Sequence, residues 1–170
     1  SGAFPHLAMG MVRREQRRHA DAFAAFARAA ELDPNYANAI AQMASVLCYA
    51  GKTENTIEVI QHAVQRNPRY PINYLALIGQ CYFAMGRYRE AIAAFEQALD
   101  RNALFYRGLL SLAASYAQVE RLEEARRTLA ELESQGRQLS LRRIEPTILF
   151  ARSEHRARVI EGLRLAGVPD

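Results

Sequence analysis

The sequence predicts an all-α fold, a solenoid of about four stacked antiparallel helical hairpins followed by a short C-terminal extension. Three observations carry this reading. Pro34 and Pro68 stand 34 residues apart, after the similar runs Ala29-Ala30-Glu31-Leu32-Asp33 and Ala63-Val64-Gln65-Arg66-Asn67. With one extra residue near Pro71, the same period brings side-chain sizes into columns. Small residues recur at Gly10, Ala44, Gly79 and Ala113, each after a bulky one: Met9, Met43, Ile78 and Leu112. A second small column, Ala22, Thr56, Ala91 and Ala125, is followed four residues later by Phe26, Ile60, Phe95 and Leu129. Finally, apolar spacing is helical throughout, as at Ile57, Ile60, Ala63 and Val64, with no strand-like alternation.

Each element follows from these columns. A small residue in the first helix of a hairpin lets its partner come close, and a large residue one turn away fills the space beside it. Three residues after the first small column stand Arg13, Leu47, Tyr82 and Tyr116. Gly51 and Gly86 sit where the first helix must stop, since glycine tolerates a left-handed helix end. Pro34 and Pro68 close second helices, with Asp33 and Asn67 as turn residues before them. The repeats fall at 3–36, 37–71, 72–105 and 106–136. The outer two depart from the pattern. Arg13 and Arg17 replace a bulky apolar residue and a turn glycine. Glu120 takes a glycine column, Leu132 a small one, and the fourth repeat ends without proline. Terminal repeats of solenoids are commonly atypical, because one face meets solvent or a cap.

The period ends after Gln135-Gly136. Residues 137–170 hold seven arginines against four acids, most of the chain's formal charge of +4. A short helix is expected around Leu139–Ile144, stopped by Pro146. A second should begin at Ser153 as N-cap and run to about Ala166, with Gly167 and Pro169 as stop signals. Its apolar face would be Val159, Ile160, Leu163 and Ala166. The extension is expected to cap the apolar end of the fourth repeat. The alternative is that it folds back into the concave side and competes with a partner.

Composition excludes several functions. Half the residues are hydrophobic and a quarter charged, as in globular rather than disordered chains. No apolar stretch spans a membrane and no signal peptide is visible, so a cytoplasmic setting is expected. Arginine far outnumbers the single lysine, Lys52, a bias expected of a GC-rich bacterial source. The chain opens Ser1-Gly2 without an initiator methionine, which reads as a piece of a larger protein. Cys48 and Cys81 occupy different helix positions and are expected as free thiols. His6, His19, His62 and His155 have no partner at ligand spacing, and Glu154-His155 lacks the second histidine of a zinc helix. The glycines are scattered and there is no nucleophile elbow, so no catalysis, metal or cofactor is expected. Arg13, Arg14, Arg17 and Arg18 are broken by Glu15 and lack interleaved aromatics, so nucleic acid is not expected.

The repeated columns resemble the tetratricopeptide repeat, over roughly residues 3 to 136. The third repeat is most similar, with Leu75, Ile78-Gly79, Tyr82, Gly86, Ala91, Phe95 and Ala98. The resemblance implies a right-handed superhelix whose first helices line a concave groove that holds a protein or peptide partner. On that mapping the groove residues are Asn38, Ser45 and Tyr49, then Asn73, Gln80 and Phe83, then Arg107, Leu110 and Gln118. Asparagine and glutamine can bond a peptide backbone, Tyr49 and Phe83 offer apolar contact, and Arg107 can hold a carboxylate. The lysine-rich clamp of chaperone-binding members is missing, because Leu7, Met11, Gln42 and Leu77 stand in its place. The ending Ile160-Glu161-Gly162-Leu163-Arg164-Leu165-Ala166-Gly167-Val168-Pro169-Asp170 is similar to that of bacterial adenylate/guanylate cyclase-like proteins, in which such repeats follow a cyclase domain. This resemblance implies a regulatory, non-catalytic region of a signalling protein, with the cyclase domain as a partner in the same chain. A stand-alone adaptor or a self-associating homodimer is the alternative.

Overall fold

A computed structural model describes residues 2–33, 37–66, 70, 72–102 and 106–170. Among these, eight helices form four hairpins: α1 Ala3–Glu15 with α2 His19–Leu32, α3 Ala37–Tyr49 with α4 Thr53–Arg66, α5 Ile72–Ala84 with α6 Tyr88–Arg101, and α7 Tyr106–Gln118 with α8 Leu122–Ser134. Each second helix also packs on the first helix of the next hairpin, and the first helices touch one another along the stack. They form the inner layer. The expected all-α hairpin stack is what the chain adopts. Among the described residues no helix is long and apolar enough to cross a membrane. The helix-closing roles expected of Pro34, Asn67 and Pro68, and the extra residue near Pro71, lie outside the described residues. Asp33 is described, and its extended backbone (φ −143°) is what a following proline requires.

The small columns do what their size suggests. A Cβ added to Gly10 would stand 2.5 Å from the Phe26 ring, and one added to Gly79 would stand 2.6 Å from the Phe95 ring. Where the partner is the slimmer Ile60 or Leu129, the column holds Ala44 or Ala113. Glycine faces phenylalanine and alanine faces an aliphatic residue, so each pair fills a similar volume.

All four hairpins turn by the same device. The residue two past the first helix has a positive φ: Arg17 57°, Gly51 86°, Gly86 75° and Glu120 63°. In each turn two backbone bonds close the helix end, as where Gly86 N donates to Phe83 O (3.0 Å) and Arg87 N to Tyr82 O (2.9 Å). The arginine that follows then pairs with an acid one turn into the second helix: Arg18 with Asp21, Arg87 with Glu90, and Arg121 with Glu124. Arg87 and Arg121 also lie over the rings of Tyr82 and Tyr116.

Cys48 and Cys81 are free and fully buried. Despite their different helix positions the two thiols meet. Burial first, and the Cys81 sulfur second, push the Cys48 thiol well above its usual range.

The extension comprises α9 Leu141–Ile144, a 3-10 turn at Glu145–Thr147, and α10 Ser153–Leu165. The helix start differs from expectation by one position: Arg152, extended, is the N-cap, and Ser153 is the first helical residue. Val159, Leu163 and Ala166 are buried and Ile160 is partly so, the apolar face expected.

Two outcomes check this account. Gly79→Ala should destabilise the chain by about 1–3 kcal/mol through overpacking against Phe95. Adding Phe95→Leu, which recreates the Ala113–Leu129 pair, should recover part of that loss; urea melts of both singles and the double read the coupling. Glu120→Gly should gain roughly 1 kcal/mol, because relief of a left-handed backbone of about 1–2 kcal/mol exceeds the entropy cost of glycine.

Candidate functional site

The extension does not cap the end of the stack. Helix α10 packs on α7, and the preceding segment crosses the concave side as a strap. Arg17 Nη2 donates to Pro146 O (3.3 Å), Ala151 N donates to Tyr49 O (2.8 Å), and the Phe150 ring stands edge-on to Tyr49 with centroids 5.6 Å apart. Arg158 completes the seam: its carbonyl accepts from Gln118 Nε2 (2.9 Å) and its Nη1 donates to Ala84 O (3.4 Å). Gly162 is required for the close approach of α10, since a Cβ there would stand 2.7 Å from Ala114 O. The reason lies in α8. Its outward column reads Arg126 and Glu133, both exposed, where earlier second helices carry Phe23, Ile57 or Ile92 and Ala30, Val64 or Leu99. That end is already polar and has nothing to bury. The apolar extension packs beside Leu110 on the inner layer instead.

The strap divides the groove. Over its own half it leaves a gap of only about 50 Å³ beside Tyr49, Gln80, Leu110 and Ser111. The other half remains open as a cavity of about 250 Å³, with Met11, Arg14, Gln42, Ser45, Asn73 and Arg107 among its walls.

The expected groove residues sort between these halves. Asn38 accepts from Gln42 Nε2 (3.3 Å), and the Ser45 hydroxyl donates to Gln42 O (2.7 Å). Asn73 faces the open cavity, and its Oδ1 is buried with no partner among the described residues. Gln80 donates to Ser111 Oγ (2.6 Å). Tyr49 borders both halves; burial and then Cys48 push its phenol up to about 12, so it stays a neutral donor. Leu110 and Gln118 are covered by the extension. Phe83 is not a groove contact: it is 1% exposed and packs edge-on to Tyr88 in the core. Allowing for the extra residue near Pro71, the column through Tyr49 and Gln118 meets Ala84 rather than Phe83.

The same column run back into the first repeat finds what was missed, Glu15, with Arg14 beside it. Arg107 Nη2 reaches Glu15 Oε2 (3.2 Å) across the groove, from fourth hairpin to first. Arg14 holds the other oxygen of Glu15 (3.0 Å) and donates to Gln42 Oε1. Burial pushes the Glu15 carboxyl up, but Arg107 and Arg14 outweigh it, and the group sits below its usual value. Arg14 Nε is buried without a partner among the described residues. The open half thus carries an unsatisfied donor and an unsatisfied acceptor among its lining residues, hydrogen-bonding capacity suited to a peptide backbone. Among the described residues no group of His, Cys, Asp or Glu could hold a metal.

These features define a class, helical-repeat scaffolds that present a concave surface to other chains. Two family models described as Tetratricopeptide repeat match, over residues 35–102 and 82–143. The chain belongs to the tetratricopeptide-repeat family, whose repeats are protein–protein interaction modules. No curated protein matches the chain. Among solved structures it is similar to TTC0263, a thermophilic TPR protein in Thermus thermophilus, at 18% identity over 96% of this chain and 91% of that one, with TM-score 0.73. It is also similar to MamA (15% identity, 96% and 89% covered, TM-score 0.62). YrrB, described as a TPR protein with an unusual peptide-binding site, follows at 17% identity, 96% and 84% covered, and TM-score 0.59. At these identities the likeness is one of fold.

The strap's anchor is titratable. His155 of α10 is buried edge-on against Phe150 (5.4 Å), and burial holds its imidazole below the usual range; Glu154 opposes this while Arg158 and Arg152 add to it. A depressed folded pKa means the unfolded chain binds the proton more readily, so docking is fully stable above about 6.5 and weakens as pH falls. The hydrogen-exchange protection factor of the Ala151 amide should therefore drop between pH of about 7 and about 5. His155→Leu should remove that step.

Proposed function

We propose that this chain is a binding module whose concave groove holds an extended segment of a partner protein in its open half, alongside its own strap. One observation carries the reading: the groove already holds a stretch of polypeptide, bonded through the Ala151 amide and anchored by Phe150. The adjoining cavity offers the same kind of surface, with Asn73 Oδ1 and Arg14 Nε unpaired among the described residues and Arg107 on the rim. The peptide-binding site in YrrB's description is a precedent on this fold at low identity. Of the expected contacts, Ser45, Asn73 and Arg107 serve the open half, Asn38 reaches it through Gln42, and Tyr49 and Gln80 stand at the boundary. The repeats 3–36, 37–71, 72–105 and 106–136 act as one scaffold that binds and does not catalyse, in a cytoplasmic setting.

The parent context we propose is a bacterial cyclase-like signalling protein, of which this is the regulatory part. Its support is the resemblance of the ending 160–170, of which four residues hold the extension in place. Gly162 admits the α7 backbone and Leu163 is fully buried. Gly167 takes a left-handed turn (φ 103°), and Pro169 O accepts from Leu141 N (2.7 Å).

Peptides selected from a random display library on the wild-type chain test the groove. Asn73→Ala combined with Arg107→Ala should weaken their binding by about tenfold or more, with an unchanged melting temperature. Unchanged affinity would refute the site.

A further inference from the structure

The second hairpin departs from the later ones at its turn. The residue after each left-handed turn position is a cation: Arg18, Lys52, Arg87 and Arg121. Arg87 and Arg121 are each held twice. An acid three residues on pairs with them, Glu90 or Glu124, and a ring five residues back lies beneath them, Tyr82 or Tyr116. At Lys52, the single lysine of the chain, both columns change together. The ring column holds Leu47 and the acid column holds Asn55, so the exposed Lys52 has neither of these partners. Beside it, between α2 and α3, lies a cavity of about 380 Å³ walled by Phe23, Val46, Leu47 and Ala50, with His19 and Lys52. Among the described residues no acid lines it.

His19 adds a second unmet demand. Both of its imidazole nitrogens are buried with no partner among the described residues. Burial first, and Arg17 second, hold the ring below its usual range, so it is neutral and offers one N–H and one lone pair. The outer torsion of a histidine is soft, and the ring can turn a nitrogen toward a guest at little cost. We propose that this cavity is a binding site for a small organic carboxylate with an aromatic or branched apolar body. The carboxylate takes the place of the missing acid at Lys52 and accepts from His19, while the body lies on Phe23, Val46 and Leu47. The volume falls among small-molecule sites, which run from about 300 to 1,000 Å³. A neutral guest leaves the cation unmatched, and a bare anion gains little from one exposed charge in water. The site is independent of the groove, with which it shares no lining residue. It lies at the turn edge of the stack, whereas the first described residues stand at the other end of α1, about 20 Å away.

The probe is phenylacetate, titrated into the isotope-labelled whole chain and followed by nuclear magnetic resonance. The amides of Leu47, Ala50 and Lys52 and the ring of His19 should shift saturably. Phenylacetamide, which lacks the charge, and acetate, which lacks the apolar body, should each bind weaker by about tenfold or more. Lys52→Met keeps the apolar stem and removes the charge. Because Lys52 is exposed, circular dichroism of that variant should match the wild type, while affinity for phenylacetate falls about tenfold. Leu47→Tyr restores the ring that Tyr82 and Tyr116 supply in the next two hairpins, and should abolish binding by filling the cavity and engaging Lys52. Three results would each overturn the assignment: no saturable shift at these residues, phenylacetamide binding as tightly as phenylacetate, or affinity indifferent to both substitutions.

Discussion

The structure depends on one steric pairing, repeated in every hairpin: Gly10 with Phe26, Ala44 with Ile60, Gly79 with Phe95, and Ala113 with Leu129. A helix pair can close only as far as its bulkiest contact allows. By matching the smallest residue to the largest partner, the chain keeps four hairpins of similar thickness. Similar thickness is what lets successive hairpins stack with a constant rotation, and constant rotation is what bends the first helices into an inner layer. The large members, Phe26, Ile60 and Phe95, are wholly buried. The hydrophobic gain of a repeat is therefore concentrated where its geometry is set.

The two ends of such a stack cannot be equivalent, because each hairpin offers its second helix forward and its first helix backward. At the forward end, Arg126 and Glu133 replace the apolar residues that would face another hairpin. The extension is thereby free to go elsewhere. It goes to the inner layer, where Leu110, Leu77 and the short side chain of Ala114 leave apolar surface that curvature has gathered. Gly162 decides how deep it sits.

Much of this was legible in the sequence, because the period is local and repeated. The columns identified the hairpins, Gly51 and Gly86 marked turns, and the apolar face of α10 could be read from its spacing. The left-handed turns at Arg17 and Glu120 were not signalled by residue type. They are imposed by neighbouring hairpins, whose stacking requires the same turn in every repeat. The meeting of Cys48 and Cys81 and the Glu15–Arg107 contact were hidden for a related reason. Both depend on how far each hairpin rotates on the last, which no local pattern records. The destination of the extension is written less plainly, in two charged residues, Arg126 and Glu133, that stand in two otherwise apolar columns of α8.

The Glu15–Arg107 contact shows how curvature and binding are connected. Its partners lie 92 residues apart, yet both are close to half exposed, and ion pairs in water contribute at most about 1 kcal/mol. So weak a contact cannot bend the stack. The bend comes from the small–large pairing, and the ion pair occurs because the bend brings the two helix ends together. It follows that Arg107 can be released from Glu15 at little cost. A partner carboxylate would replace one weak contact by another in the more enclosed setting of a filled groove, where the same charges act through less water. Arg14 would keep Glu15 in place meanwhile, since it holds the opposite carboxylate oxygen and is itself anchored on Gln42. In the groove we propose, the rim arginine is the adaptable element, and the less exposed Arg14 fixes its frame.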